Sequence, residues 1–403
     1  MVLILNNNYM KKLIYNIPGL TEYNKILLKS IRHQLWFLKK NLNFNFTYYT
    51  SIINNNDEDY LLCKRLIESY KLSINNDLSD NTSDIWKKMI NNHYADLINC
   101  LENKKISELS ALLSNLFQSD FIIGIATGSL FKQKARFGNK IWNLKCIDNF
   151  ISLSEYLGII RTENPEQGIS GQCFDLGLNK ILDDVENKLE FSIAFPNIGS
   201  PYGLVINNSL ITMESPEHIY VSTRINTIVK DFFNDNNQLK CVEIGGGYGG
   251  LAYWFLKSNL NNISKYTIID FPLMNVIQGY FLSKAFGTSN VIFYGEKKNE
   301  NIKIELIPID KTSEIKNFDL LINENSMPEM PLESVQNYLY WAKENLNGIF
   351  YSYNQEAYSP VNGKEQISVP KTISKISNSF ELYSRNISWI RNGYVEEVYK
   401  VNM

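Results

Sequence analysis

Apolar residues in the first part of this chain recur at the spacing of an amphipathic helix, every third or fourth position. The pattern extends from about residue 20 to about residue 120 and is clear in segments 26–38 and 109–117. A third segment follows Ser83, whose hydroxyl can cap the first turn of a helix. Its apolar positions are Trp86, Met89, Ile90, Tyr94, Leu97 and Leu101. The pattern predicts a mainly helical N-terminal domain over residues 1–195, serving substrate binding or assembly.

Beyond residue 195, short apolar runs alternate with helical patterns, which is typical of a parallel sheet covered by helices. The predicted strands are 239–244, 266–270, either 291–294 or 302–307, 318–322 and 348–353. Two more, at about 380–385 and 394–401, would form a hairpin around Asn392-Gly393. The pattern therefore predicts an α/β domain over residues 196–403. Its Rossmann-like sheet would be seven-stranded and mostly parallel, with an antiparallel last strand.

Composition narrows the class of protein. A hydrophobic fraction of 44% with 20% charged residues is that of a globular protein with a large core. The net charge of −2 gives no reason to expect a nucleic-acid partner. The five cysteines include no CxxC pair, so we expect neither a metal knuckle nor a disulfide framework. No apolar run approaches the ~20 residues that span a bilayer, and we expect a cytoplasmic protein without membrane insertion. Homo-oligomerisation stays open.

The segment from Cys241 to Leu251 carries the clearest chemical signal. An apolar run containing the acid Glu243 leads into a loop with five glycines, and a helical pattern follows. Glycines let the backbone take positive φ values and let a ligand approach the main chain closely. The N–H groups at the start of the next helix would then face that ligand. The segment is predicted to be a strand, a tight ligand-binding turn and a helix.

The glycines fit two known patterns. Together with Asp270, spaced after them as a ribose-binding acid should be, they satisfy the G-x-G-x-x-G dinucleotide fingerprint. Together with Glu243, they satisfy the acid-x-G-x-G-x-G pattern of class I methyltransferases that use S-adenosyl-L-methionine (SAM). Glu243 could meet the positively charged amino end of SAM, whereas a pyrophosphate gains nothing from a nearby carboxylate. The pattern favours SAM over NAD as the cofactor.

Other residues complete the predicted cofactor site. Asp270, at the carboxyl end of the second strand, is placed to accept the ribose hydroxyls, and Phe271 to cover the adenine. Asp310 could bind the adenine amino group, and Arg224 the cofactor carboxylate. The predicted cofactor-binding residues are Glu243, Gly245, Gly247, Tyr248, Asp270, Phe271, Asp310 and Arg224.

Four stretches of the C-terminal half resemble a known family. They are VEIGGGYGG (242–250), IDFP (269–272), NENSMPEMP (323–331) and FYSYNQ (350–355). Together they resemble the bacterial sugar O-methyltransferases, and the Asn-Ser-Met-x-Glu-Met stretch is the most specific part. The resemblance covers about residues 195–403. It implies a SAM-dependent enzyme that methylates a sugar or nucleotide-sugar hydroxyl in capsule or surface-glycan synthesis.

The loop after the fourth strand would face the methyl group, because ligands of open α/β sheets lie beyond the carboxyl ends of the strands. Glu329 is the favoured base, and Glu324 is an alternative that could instead contact the cofactor. Asn325 and Ser326 would orient the hydroxyl, and Asn354 and His218 would bind substrate. No metal-ligand set stands out. The alternatives are an NAD-dependent sugar oxidoreductase or epimerase and a non-catalytic SAM-binding scaffold.

Overall fold

The structure is a computed structural model. It describes residues 46–48, 57–74, 83–126, 138–162, 176–234, 238–259, 262–297, 303–356, 366–376 and 378–402. The predicted helix at 26–38 lies outside these ranges.

Helices dominate the first half of the described chain, and helices alternate with strands in the second half. The helices are α1 (Asp57–Ser73), α2 (Asp84–His93), α3 (Ala95–Glu102), α4 (Ile106–Leu113), α5 (Gly138–Tyr156), α6 (Leu178–Leu189), α7 (Ser215–Phe232), α8 (Gly250–Asn259), α9 (Pro272–Phe286), α10 (Leu332–Asn345) and α11 (Val369–Ile376). The strands are β1 (Phe46–Tyr48), β2 (Tyr202–Ile206), β3 (Ser209–Ile211), β4 (Leu239–Ile244), β5 (Ile263–Asp270), β6 (Val291–Ile292), β7 (Ile304–Pro308), β8 (Phe318–Glu324), β9 (Leu346–Gln355), β10 (Phe380–Ile387) and β11 (Tyr394–Val401).

Eight strands form the main sheet, in the order β10-β11-β9-β8-β4-β5-β7-β6. The pairings from β9 through β8, β4, β5 and β7 to β6 are all parallel. The last strand, β11, is antiparallel to both of its neighbours. The predicted α/β class is therefore confirmed: the sheet is Rossmann-like and mostly parallel, with an antiparallel last strand, and it has eight strands where seven were expected. Both segments predicted as alternatives for the third strand are strands in the structure: one is the two-residue β6, which pairs with the other, β7, at the edge of the sheet.

The predicted helix after Ser83 is two helices in the structure. The Ser83 hydroxyl caps α2, as expected, and accepts a hydrogen bond from the backbone N–H of Trp86 at 3.4 Å. The backbone leaves helical geometry at Tyr94, with φ −106° and ψ 5°, and resumes it in α3. Tyr94 is fully buried at this break, with its ring centroid 6.1 Å from that of Phe121. The apolar spacing continues across the break, which is why the sequence predicts one helix.

The N-terminal helices pack directly on the main sheet layer. Helix α1 lies along α9, where Gly279 leaves room for Leu66. The Lys284 ammonium lies 2.7 Å from the Asp59 carboxylate across the same contact. A single hydrophobic cluster contains residues of both halves, and β1 pairs with β2 across the expected boundary near residue 195. Residues on both sides of the expected boundary share one core, and the division into two domains near residue 195 stays a prediction.

Candidate functional site

A cavity of about 970 Å³ opens at the carboxyl edge of the parallel strands. Strands β4, β5 and β8 end there, and their registers place Ile244 beside Ile269 on one side and Asn323 on the other. The opposite wall comes from the N-terminal half, including Trp86 and Ile125. The volume of the cavity is typical of a site that binds a small molecule. The sheet register therefore brings the glycine loop and the predicted strand-end acids to one cavity.

The glycine loop forms the floor of this cavity. Gly245 has a φ of +76°, and a Cβ there would collide with the Ser326 side chain. Its N–H donates to the carbonyl of Ile269 at 2.9 Å, so the turn continues the β4–β5 ladder. Gly247, with a φ of +57°, lies opposite Ile125 of the N-terminal half. Both positions need glycine for their positive φ, and Gly245 also needs it for its close contact with Ser326.

Tyr248 lines the cavity but serves mainly as a core residue. Its ring is almost fully buried, and its centroid lies 5.2 Å from that of Phe117 and 5.3 Å from that of Phe281. Burial raises the pKa of its hydroxyl well above the usual value. The aromatic cluster anchors the glycine loop against the N-terminal half.

Glu243 is a buried carboxylate in the cavity wall. The Tyr266 hydroxyl donates to its Oε2 at 2.9 Å. Burial raises the pKa of Glu243 to about 7, the Tyr266 hydrogen bond lowers it, and the nearby Asp270 raises it further. No ion pair joins it to a cation of the described chain. Such a group would gain strongly from a cationic ligand.

Asp270 ends β5 beside the loop and accepts hydrogen bonds from neighbouring residues. Its Oδ1 accepts the backbone N–H of Phe271 at 2.8 Å. Its Oδ2 accepts the Gln278 side-chain amide at 2.7 Å, and the same amide donates to the carbonyl of Gly247 at 3.0 Å. Burial raises the pKa of Asp270 to about 7. Gln278 was missed in the sequence, although a glutamine on the apolar face of a helix was a detectable signal.

Phe271 lines the cavity beside a residue of the N-terminal half. Its ring centroid lies 6.1 Å from that of Trp86. This places two aromatic rings where the cavity borders β5. The sequence predicts Phe271 at this position; Trp86 was recognised only as an apolar helix residue.

The loop after β8 is tied to the end of β4. The Ser326 hydroxyl donates to the carbonyl of Ile244 at 3.0 Å. The side-chain amide of Asn323 donates to the same carbonyl at 2.9 Å and to the Ser326 oxygen at 2.6 Å. Asn325 lines the cavity with a φ of +63°, and its N–H donates to the carbonyl of Tyr353 at 3.0 Å. These bonds fix the loop across from the glycine turn.

Asn354, predicted to bind substrate, is bonded to neighbouring side chains behind the loop. Its side-chain amide donates to Asn323 and to Ser352, both at 2.9 Å, behind the loop. It is buried and is not among the described residues that line the cavity. Asn354 therefore positions Asn323, and the following residue, Gln355, reaches the cavity instead. A one-residue offset reverses the facing of a strand side chain, which explains the difference.

His218 and Glu324 form a buried pair in the cavity wall. The His218 Nε2 lies 3.6 Å from the Glu324 Oε2. Burial lowers the pKa of His218 to about 4, so the imidazole is neutral. Burial raises the pKa of Glu324 well above its usual value, and the negative charges of Glu217 and Glu243 raise it further. The His218 Nδ1 and the Glu324 Oε1 are buried and make no hydrogen bond to the described chain.

Glu329 lies at the end of a short 3₁₀ turn, Met327–Glu329, and lines the cavity. Burial raises the pKa of its carboxyl, while the positive charge of Arg391 and a hydrogen bond from the Trp86 side chain lower it. The carboxylate is half-buried rather than sealed. Trp86 thus lies beside both Phe271 and Glu329.

Two of the predicted cofactor-binding residues form ion pairs within the chain. The Arg224 guanidinium forms a two-point ion pair with the buried Glu396, at 2.6 and 2.9 Å. Asp310 pairs with Lys311 at 2.8 Å. Neither Arg224 nor Asp310 is among the described cavity-lining residues. The described cations that do line the cavity are Lys145 and Arg391, and Arg391 was not selected from the sequence.

Within the described ranges, no group of three or more His, Cys, Asp and Glu side chains could hold a metal ion. In the same ranges, no helix has the length and apolar character needed to cross a membrane.

Comparisons with known proteins give structural likeness only. No protein-family profile matches the chain, and no curated protein sequence matches it. The pyocyanin biosynthetic protein PhzM is 12% identical over 47% of this chain and 56% of its own, with a TM-score of 0.34. The mitomycin 7-O-methyltransferase MmcR is 9% identical over 64% and 68% of the two chains, with a TM-score of 0.34. The magnesium protoporphyrin IX methyltransferase of Synechocystis PCC 6803, with bound S-adenosylhomocysteine (SAH), is 12% identical over 45% and 81%, with a TM-score of 0.33. The match with PhzM thus spans little more than half of that protein.

Proposed function

We propose that this chain is a SAM-dependent O-methyltransferase acting on a hydroxyl of a sugar or nucleotide-sugar, in capsule or surface-glycan synthesis. One observation carries the cofactor assignment. The buried acids Glu243 and Asp270 flank a glycine turn in a single cavity at the carboxyl ends of parallel strands. Ligands of open α/β sheets bind at this position. The sugar class rests on the resemblance of the C-terminal half to sugar O-methyltransferases.

The residues of the cavity fit SAM. Glu243 would face the amino group of the cofactor, and Asp270 would accept the ribose hydroxyls while Gln278 holds its carboxylate in place. The rings of Phe271 and Trp86 would border the adenine. A buried carboxylate beside the glycine turn favours a cationic ligand over the pyrophosphate of NAD.

Bound SAM would supply an electrophilic methyl carbon on a positively charged sulfur. A sugar hydroxyl is a weak acid, so a base that accepts its proton lowers the barrier as the new oxygen–carbon bond forms, the methyl carbon–sulfur bond breaks and SAH leaves. Glu329 fits this role because it is half-buried in the cavity wall and burial raises the pKa of its carboxyl. The Trp86 hydrogen bond and the charge of Arg391 favour its ionised form. Asn325 and Ser326 would orient the hydroxyl.

Calorimetric titration with SAH tests the cofactor assignment. We expect binding, and we expect Asp270→Ala to weaken it about tenfold to a hundredfold, since hydrogen bonds to a charged group contribute about 1.5–3 kcal/mol. The control is Asp319→Ala, which removes a carboxylate that accepts the Lys240 backbone N–H at 2.8 Å away from the cavity. If SAH does not bind, or if NAD binds instead, the proposal is wrong.

Turnover of labelled SAM against nucleotide-sugars and surface glycans tests the reaction. We expect Glu329→Gln to keep SAH affinity but to lower kcat on the order of a hundredfold or more, as loss of a general base does. A Glu329→Gln protein that turns over normally would remove the assigned base. If Glu329→Gln and Glu324→Gln both leave every property unchanged, the chain is a SAM-binding scaffold rather than an enzyme.

A further inference from the structure

The cavity has many more acids than bases. Seven carboxylates and two cationic side chains from the described residues line it. The carboxylates are Asp148, Glu214, Glu217, Glu243, Asp270, Glu324 and Glu329, and the cations are Lys145 and Arg391. The proposed function uses Glu243 and Asp270 for the cofactor. The remaining wall is still acidic, and that wall would face the methyl acceptor.

The acid excess is concentrated around one guanidinium. Arg391 Nη1 lies 3.3 Å from the Glu217 Oε1, and its guanidinium carbon lies 4.0 Å from the centroid of the Tyr394 ring. Glu217, Glu324 and Glu329 all act electrostatically on the Tyr394 hydroxyl, together with Arg391. Three carboxylates thus lie near a single cation, and Arg391 is already engaged by one of them.

Among the carboxylates that line the cavity, Glu324 has a buried oxygen without a hydrogen bond to the described chain. It is 7% exposed and lines the cavity, yet its Oε1 makes no hydrogen bond to the described chain. Burial lowers the pKa of the neighbouring His218 and raises that of Glu324, so a cationic ligand would be the partner that favours the ionised Glu324 carboxylate. Buried polar groups without a partner are rare in native proteins and call for a ligand or another explanation.

We propose that the methyl acceptor carries a protonated amine, as an amino sugar does, and that Glu217 and Glu324 bind this amine. An ammonium group has three N–H donors and no acceptor, so it can donate to the Glu324 Oε1, which has no donor in the described chain, and to the Glu217 carboxylate, whose Oε1 accepts from Arg391. A phosphorylated acceptor would meet these carboxylates with only Arg391 and Lys145 to offset them, and like charges across an interface oppose binding. Within the proposed function, this selects a free amino sugar over a nucleotide-sugar.

The test uses the full chain saturated with SAH and three sugars that differ in charge: glucosamine, glucose and glucosamine 6-phosphate. We expect calorimetry to show glucosamine binding at least about tenfold more tightly than glucose, in line with a charge-assisted hydrogen bond. Glucosamine 6-phosphate should bind more weakly than glucosamine. Equal affinities for glucosamine and glucose, or no binding of glucosamine, would overturn the proposal.

Substituted proteins distinguish binding of the amine from binding of the cofactor, because glucosamine affinity and SAH affinity are measured separately. Glu217→Gln and Glu324→Gln should each bring the affinity for glucosamine close to that for glucose while SAH affinity is retained. Glu333→Gln, an exposed acid at the start of α10, changes net charge equally and should retain the preference. If Glu324→Gln weakens SAH but not glucosamine, the carboxylate belongs to the cofactor and the inference is wrong. Failure of SAH itself to bind would instead refute the proposed function, before any sugar is added.

Discussion

At the scale of single residues, the glycine turn links backbone geometry to the site. Gly245 combines a positive φ with a contact in which any Cβ would meet Ser326. Gly158 has a similar φ of +72° but nothing within 4 Å of its Cβ position. Alanine substitutions at Gly158 and Gly245 can therefore separate the cost of backbone strain from the cost of a collision with Ser326.

We expect Gly158→Ala to lower the free energy of unfolding by about 1–2 kcal/mol, the cost of a left-handed residue with a side chain. Gly245→Ala should cost about 1–3 kcal/mol more, because overpacking adds to the strain. It should also weaken SAH binding, since Ser326 must leave its bond to the Ile244 carbonyl. Urea denaturation and SAH calorimetry measure both effects. Equal destabilisation by the two substitutions would show that the Ser326 contact is unimportant.

Asp270 gives a prediction for the dependence of stability on pH. Its pKa is raised from a usual value near 4 to about 7 in the folded chain. The folded state therefore holds this proton more tightly than the unfolded state. The contribution is fully favourable below about pH 4 and is lost as the pH rises towards 7. Each pKa unit corresponds to about 1.4 kcal/mol of unfolding free energy.

Without ligand, Asp270→Asn should therefore flatten the decrease in unfolding free energy between about pH 4 and 7. Some slope should remain, because burial also raises the pKa of Glu243 to about 7. Urea denaturation at several pH values measures the slope, and Asp319→Asn is the control carboxylate. A slope in Asp270→Asn equal to that of the unsubstituted chain would contradict the prediction.

At the scale of elements, the close packing of α1 on α9 joins the N-terminal half to the sheet. Gly279 makes this approach possible: a Cβ there would lie 2.6 Å from the Leu66 Cδ2 and 2.9 Å from the Phe293 ring. Two ion pairs flank the contact. They join Asp59 to Lys284 and Arg65 to Glu296, each at 2.7 Å.

A double-mutant cycle on Gly279→Ala and Leu66→Ala tests this packing. Alanine gains about 1 kcal/mol of helix propensity over glycine, but the added methyl group must displace Leu66. Leu66→Ala should therefore cost less in the Gly279→Ala background than in the unsubstituted chain, by on the order of 1 kcal/mol. Urea denaturation of the four proteins measures the coupling. Additive effects would mean that the methyl group added at Gly279 does not displace Leu66.

At the scale of the whole molecule, the cavity and the core both cross the predicted domain boundary. Trp86 and Ile125 line the cavity opposite the glycine turn. The same hydrophobic cluster includes Leu66 and Leu97 of the helical half and Ile268 and Tyr280 of the sheet half. The helical half therefore acts as one wall of the site as well as part of the core.

We expect residues 196–403 expressed alone to lack a cooperative unfolding transition and to bind a dye for exposed apolar surface. Removal of the helical half uncovers the side of α9 that contacts α1, and large exposed apolar surface favours association. Thermal and urea denaturation, compared with the full chain, measure this. A cooperative transition with SAH binding in the fragment would show that the two predicted domains are independent.

Several features of the fold and the site follow from local pattern. Strand β4 ends at the predicted residue, and Asp270 ends β5 as predicted. Because parallel strands align at their carboxyl ends, the chain order alone indicates that the glycine turn, Asp270 and the loop after β8 meet at one edge. The position of Glu329 in that loop was predictable for the same reason.

The partners of individual side chains depended on the tertiary structure. Arg224 pairs with Glu396, which lies 172 residues away in the chain. Arg391, Trp86 and Gln278 enter the site from a hairpin loop and two helices. Local periodicity determines which face of an element is buried, so the sequence alone determined the order of elements and the glycine turn. Packing between distant elements determines which buried groups meet, so only the tertiary structure decided which cations, rings and carboxylates surround the cavity.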